Sequence, residues 1–238
     1  GQDRRCSMNY QLGIIGGVGS EASAYLYEKI LRATKAPTDQ DHLNMVILNH
    51  AEIADRTSYI LDHTNDNPLP YFMEDLHLLN QIGVKLILIP CNTSHFFYDE
   101  FQKVSHAPIY HLIDHTTERL KKEGIKRVGI LATDGTIKSQ LYQKSCESQQ
   151  LEWVIPNQEN QQHVMSLIYD DIKAGKPIHK DKLISIIKEM EEQQVERMIL
   201  ACTELSILKE REQLDERFVD PLEIAIDYTL EMFHKQKR

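Results

Sequence analysis

Short apolar runs alternate with segments of helical periodicity along most of the chain, the pattern that a parallel-stranded α/β fold writes into a sequence. Strands are predicted over residues 12–15, 45–49, 84–90, 108–112, 127–131, 152–154 and 196–201. Helices are predicted over 20–33, 68–82, 94–104, 113–123, 136–149, 158–174 and 179–193, with a short helix after Cys202 and a last one from 221 to about 234. Pro221 falls in the first turn of that last helix, where a missing amide leaves no hydrogen bond unmade.

The pattern then repeats. "LGIIGGVGSEAS" can be set against "VGILATDGTIKS", and "GVKLILIPCNTSH" against "QVERMILACTELS". Gly13 precedes Cys91 by 78 residues, and Gly129 precedes Cys202 by 73. This spacing points to an internal duplication with one cysteine at the same place in each half. The expected architecture is therefore two similar α/β domains with parallel sheets, related by a pseudo-two-fold. Residues 8–112 with 219–238 form the first, and 113–218 the second. Each thiol is expected one residue past an apolar strand, at the sheet edge where doubly wound folds bind their ligands. Two such domains facing each other set the thiols across a shared cleft.

Composition narrows the function classes. With 238 residues and 41% hydrophobic positions, the chain can fill ordinary globular cores. A net charge of −9 argues against nucleic acid as a partner, but one or two well-placed cations still suffice for a small anion. No apolar run approaches the roughly 18 residues of a membrane span, so no membrane association is expected. Residues 1–7 are polar and lack the apolar core of a signal peptide. They read as a leader, with Met8 as the start of the folded chain and the cytoplasm as the expected compartment. Residues 235–238 read as a solvated charged tail.

The four cysteines, Cys6, Cys91, Cys146 and Cys202, contain no C-x-x-C pair, and no metal site is expected. Cys6 lies in the leader, and Cys146 falls on a helical pattern that suits a structural role. Tyr25, Leu26 and Ile30 at helical spacing read as core or interface. Cys91 and Cys202 differ from the other two cysteines. A thiol between a strand end and a helix start meets helix amides and the positive end of the dipole, which lower its pKa toward neutrality. Asn92, Thr93 and Thr203 are capping residues and hydrogen-bond donors there. His95, four residues after Cys91, is a candidate neighbour of the thiol.

Nucleophilic catalysis needs one cysteine, a base and an oxyanion hole. Two symmetric thiols suit a reaction that is itself nearly symmetric. Inversion of a stereocentre is one, with a thiolate removing a proton from one face and a thiol supplying one to the other. Chemistry on a single thiol, or plain ligand binding between the domains, remains open at this level.

The motifs "GIIGGVGSEAS", "IPCNTSH" and "ACTEL", in this order and across nearly the whole chain from Tyr10 to the last helix, resemble the aspartate/glutamate racemase family, specifically its aspartate racemase branch. That resemblance implies two Rossmann-like domains with the site between them. It implies racemisation of an acidic amino acid without pyridoxal phosphate or any other cofactor, and a homodimer. It makes Cys91 and Cys202 the opposed acid/base groups. "NHAEIADRT" resembles a family segment whose arginine, here Arg56, pairs with a substrate carboxylate, a task suited to a guanidinium fork. "IYDDIKAGK" resembles another, whose lysine, here Lys173, holds a second carboxylate.

By the same resemblance Asn92, Thr93, Thr133 and Thr203 offer donors to the α-carboxylate, with Asn49 nearby. Glu204 receives the ammonium or tunes Cys202. The chain departs from the family in carrying Val18 and Ser20 where methionine and proline are common, and Ala54 where proline precedes the Asp-Arg-Thr. Relatives of the same superfamily, such as maleate isomerase and arylmalonate decarboxylase, keep single-cysteine isomerisation or decarboxylation as the alternative.

Overall fold

The computed structural model describes residues 9–238, so the leader, Met8 and Cys6 lie outside the described residues. The first half contains strands β1 (Leu12–Gly16), β2 (Met45–Asn49) and β3 (Leu86–Leu88). Its helices are α1 (Ser20–Ala33), α2 (Arg56–Leu61), α3 (Leu69–Ile82) and α4 (Tyr98–Val104). Helix α5 (Leu112–Lys122) leads into the second half. That half contains β4 (Arg127–Ala132), α6 (Asp134–Ser139), α7 (Leu141–Ser148), β5 (Glu152–Val154), α8 (Gln158–Ser166), α9 (Lys180–Glu192), β6 (Arg197–Ala201), α10 (Thr203–Arg211) and β7 (Phe218–Val219). The last helix is α11 (Pro221–Met232).

Two all-parallel sheets result, ordered β2-β1-β3 and β5-β4-β6-β7. Each is built around its glycine-bearing first strand. Gly13 of β1 pairs with Val46 and Ile87, and Gly129 of β4 pairs with Val154 and Met198. The duplication read from the sequence is thus repeated strand for strand, and the second sheet adds β7 at its edge. Parallel strands must be covered on both faces, and β1 is buried along its whole length. Residues of β1, α1 and β3 share one core with Leu222, Ala225, Ile226 and Leu230 of α11, so the last helix packs on the first sheet. Residues of β4, β6, α8, α9 and α10 share another.

Several elements differ from expectation. The run 84–90 forms only a three-residue strand, which ends before Pro90, a residue with no amide to give a ladder. The run 108–112 makes one bridge, Ile109 to Ile87, and no strand. The helix expected over 94–104 begins as a 3-10 segment, Thr93–Phe97, before α4. That expected over 136–149 is cut by Gln140 in the left-handed region (φ 62°), giving α6 and α7. That expected over 158–174 widens after Ser166 into a π-helical turn, Leu167–Ile172. Helix α2, strand β7 and a short 3-10 turn at Asp39–Asp41 were not anticipated.

Among the described residues no helix is long and apolar enough to cross a membrane.

Candidate functional site

The carboxyl ends of both sheets open onto one cleft, with about 320 Å³ of space not filled by protein atoms. Its walls hold Cys91, Asn92, Thr93 and Arg56 from the first half, and Thr133, Lys173, Cys202, Thr203 and Glu204 from the second. Nine of the ten residues expected at the site are therefore brought together. Asn49 is not among them. It is exposed at the end of β2 and donates to the Ser20 hydroxyl at 3.2 Å. Val18, noted from the sequence as a departure from the family, completes the wall with Asp55, Thr57 and Tyr169, which were not singled out.

The glycine-rich loop after β1 sets one rim. Gly17 has φ +88°, and a Cβ there would fall 2.4 Å from the His50 carbonyl carbon, so only glycine fits. The Gly17 amide donates to Ser23 Oγ at 2.9 Å, and that hydroxyl donates to the Gly19 carbonyl at 3.2 Å. Ser23, not Ser20, braces the start of α1, whose cap residue Gly19 has no side chain to contribute. The loop reaches the opposite half, because a Cβ on Gly19 would lie 3.4 Å from Lys173 Nζ and 3.5 Å from Glu204 Oε1.

Cys91 lies three residues beyond β3 rather than one, its amide bonded to the Ile89 carbonyl at 2.8 Å. It is buried, and the Arg56 guanidinium stands beside it. Burial pulls the Arg56 pKa down, but the neighbouring Cys91 and Asp55 outweigh it, and the net shift is upward. Its Nη1 is held by the carbonyls of Ala54 (3.3 Å) and Ile53 (3.4 Å). This holds the fork at the base of α2.

Cys202 follows β6 directly and occupies the cap position of α10. Its thiol donates to Glu204 Oε2 at 3.1 Å, while Glu204 Oε1 is 2.8 Å from Lys173 Nζ. Burial first, then the Glu204 carboxylate, hold this thiol well above its ordinary range. The expected lowering by the helix start is therefore overturned at Cys202. A helix dipole contributes roughly 0.3–1 kcal/mol, less than desolvation and a directly bonded carboxylate together. Burial pushes Glu204 up and Lys173 pulls it further down, so it stays ionised. Lys173 is likewise lowered by burial and raised more by Glu204. Tyr169 offers its ring to the same ammonium at 5.7 Å.

The expected caps take other roles. Asn92 and Thr203 make no side-chain cap bond. Asn92 Oδ1 instead accepts a short hydrogen bond from the buried Tyr142 hydroxyl of α7, across the two halves. Thr57 and Thr93 meet Thr133 at 3.1 Å each, and Thr93 meets Thr136 at 2.8 Å. Thr133 also caps α6 through the Thr136 amide. This cluster of hydroxyls joins the halves beneath the cleft. Gly135 makes it possible, since a Cβ there would fall 2.8 Å from Thr57 Cα.

His95 does not face the cleft. The Leu112 amide donates to its Nε2 at 3.2 Å, which leaves Nδ1–H to donate to the Cys91 carbonyl at 2.9 Å. Burial, then His111, push its pKa down to about 4, so it is a neutral structural group. His111, the cap residue of α5, and His115 stand four apart, but His111 accepts the Asp114 amide and His115 stacks on Tyr110. Cys146 is fully buried in the second-half core, and its thiol is pushed up to about 12 by burial. Among the described residues no group of three or more His, Cys, Asp or Glu side chains is placed to hold a metal ion.

With this geometry in view, the chain can be set beside known proteins. The family model described as Asp/Glu/Hydantoin racemase matches residues 15–229. The broad specificity amino-acid racemase RacX of Bacillus subtilis is 28% identical over 215 residues, covering 88% of this chain and 92% of that protein. An aspartate racemase from Picrophilus torridus superposes with a TM-score of 0.82 at 28% identity, covering 97% of this chain and 96% of that one. A glutamate racemase, isoform RacE1, from Bacillus anthracis shares the fold at a TM-score of 0.67 and 16% identity, covering 95% and 83%.

Proposed function

Because the chain belongs to the Asp/Glu/Hydantoin racemase family, we propose that it racemises a free amino acid, aspartate foremost, by moving the α-proton between Cys91 and Cys202 without a cofactor. The observation that carries this reading is the pair of buried thiols from equivalent positions of two repeated halves on one cleft.

In this reading the substrate α-carboxylate lies against the amides and hydroxyls of Asn92, Thr93 and Thr203, with the Arg56 fork close by. The ammonium is drawn to Glu204. One thiolate takes the α-proton, and the electron pair of the broken Cα–H bond spreads into the carboxylate. The opposite thiol then protonates Cα from the other face. Cys202, held protonated by burial and Glu204, is the ready donor, which makes Cys91 the acceptor in that direction. Once it has given up its proton, Cys202 faces Glu204 as a second anion at close range, and this repulsion returns the pair to its starting protonation. The α-proton is far less acidic than a thiol, so preorganised donors around the carboxylate must stabilise the carbanion-like charge.

A second reading, broad amino-acid specificity, is favoured by the Lys173–Glu204 pair. At 2.8 Å it already satisfies the cation that a second substrate carboxylate needs. The similarity to RacX points the same way. Both readings are tested by incubating the protein in D₂O with L-aspartate, L-glutamate, L-alanine and L-lysine, without pyridoxal phosphate. The expected result is loss of the α-proton signal with appearance of the D-enantiomer. Comparable rates on alanine and aspartate select the broad reading. Conversion to a compound that is not an enantiomer rejects racemisation in favour of isomerase or lyase chemistry.

A further inference from the structure

Tyr169 and Lys173, both on the cleft wall, are carried by one short piece of chain. It is the π-helical turn Leu167–Ile172, closed by the Lys173 amide on the Ile168 carbonyl at 2.9 Å. Such turns are rare and seldom stable by themselves, so contacts outside the turn must fix it.

Those contacts converge on Asp171, whose side chain is fully buried and is not on the cleft wall. Asp171 Oδ2 accepts the His179 amide at 3.0 Å, and Oδ1 lies 3.0 Å from His179 Nδ1. Lys182 Nζ approaches both oxygens at 3.4 Å. The Asp171 carbonyl accepts the Lys176 amide at 2.9 Å. Lys182 also donates to Ser166 Oγ at 2.6 Å, just before the turn begins. One carboxylate and one ammonium thus tie both ends of the turn to the first turn of α9. A buried ion pair is a poor source of net stability, since apolar residues of equal volume often do as well. What this one supplies is a fixed geometry.

We propose that Asp171 is a positioning residue: by clamping the π-helical turn to α9 it sets Lys173 against Glu204, and it acts on the reaction through Lys173. The inference rests on the racemase reading for its kinetic test, and a second test is independent of turnover.

The kinetic test is a double-mutant cycle on α-proton exchange, using the full chain with Asp171→Ala, Lys173→Ala and both. Asp171→Ala is expected to lower kcat/KM about tenfold in the wild-type background and less than about threefold once Lys173 is alanine. An equal loss in both backgrounds, or no loss in the first, overturns the proposal. Asp171→Asn keeps the volume and guards against a variant that fails to fold.

The second test is competitive labelling of lysines with acetic anhydride, read by peptide mass spectrometry. In the folded Asp171→Asn protein, Lys173 is expected to label at least about threefold faster than in wild type, because its pairing with Glu204 is loosened. Unchanged labelling of Lys173 overturns the proposal. If the wild-type protein exchanges no α-proton on any amino acid, the racemase reading falls by itself, and the labelling still decides the role of Asp171.

Discussion

In the first half a cation, Arg56, stands beside the cysteine. No carboxylate accepts a hydrogen bond from Cys91 among the described residues. In the second half the equivalent cysteine donates to a carboxylate, and that carboxylate is paired to Lys173. The repeat brings both thiols to the carboxyl edges of their sheets, Cys202 directly after β6 and Cys91 three residues beyond β3. Side chains that the repeat does not share then make the two places electrically different. Position 204 shows how. Glu204 stands two residues after Cys202, where the first half has Thr93 two residues after Cys91. A duplication therefore supplies the symmetry that a two-sided proton transfer needs. Glu204, within one turn of Cys202, gives that thiol a carboxylate partner that Cys91 lacks among the described residues.

The largest test of this contrast is Arg56→Ala. It removes the buried cation beside Cys91 and is expected to lower kcat/KM about a thousandfold, on the order of 4 kcal/mol. Lys173→Ala should lose about a hundredfold, because the Lys173 charge is already partly spent on Glu204. Equal losses would erase the asymmetry between the halves.

Next in size is Gly135→Ala, which pushes a methyl against the Thr57 backbone at the seam between the halves. A cost of about 1–3 kcal/mol is expected, read as a fall in Tm of roughly 2–4 °C per kcal/mol.

The third test is pH. The Cys202 pKa is raised in the folded protein, so its contribution to stability is fully present below the ordinary thiol value of about 8.5. Above that value the unfolded thiol ionises first, and the contribution is lost as pH rises. By pH 10 the loss reaches about 2 kcal/mol. Cys202→Ser should therefore flatten the fall of Tm between pH 8 and 10 compared with wild type.

The smallest effect is Glu204→Gln. It removes the anion that holds the Cys202 proton, and alkylation of Cys202 by iodoacetamide at pH 8 should accelerate at least about tenfold, the equivalent of one pKa unit. Unchanged labelling would show that burial alone sets this thiol.

Much of the site was legible because its chemistry sits in short repeated motifs. "PCNT" and "ACTE" gave both thiols and four of their neighbours, and the Arg56 and Lys173 segments gave the two cations. The misses have a common cause, which is that their roles depend on residues far away in the chain. Thr57 and Thr136 carry no special signal in the sequence until α2 and α6 pack together over Gly135. Asp171 reads as one more acidic residue in a charged helix until His179 and Lys182 close on it. The lowered pKa expected of Cys202 followed from its place at a helix start. It failed because the thiol is buried and the Glu204 side chain turns back onto it. The fold class was equally plain in the alternation of elements. The breaks within expected helices were not, since a left-handed Gln140 and a π-helical turn at 167–172 leave no compositional mark.

The central claim is that both thiols act, one from each half. It is tested most directly by following α-proton exchange and enantiomer composition in D₂O with Cys91→Ser and Cys202→Ser, starting from each enantiomer of aspartate. A serine hydroxyl is far too weakly acidic to replace a thiol in either role. The account predicts that racemisation falls by at least about a thousandfold in each single variant, from either enantiomer. Wild-type racemisation in either variant would contradict it.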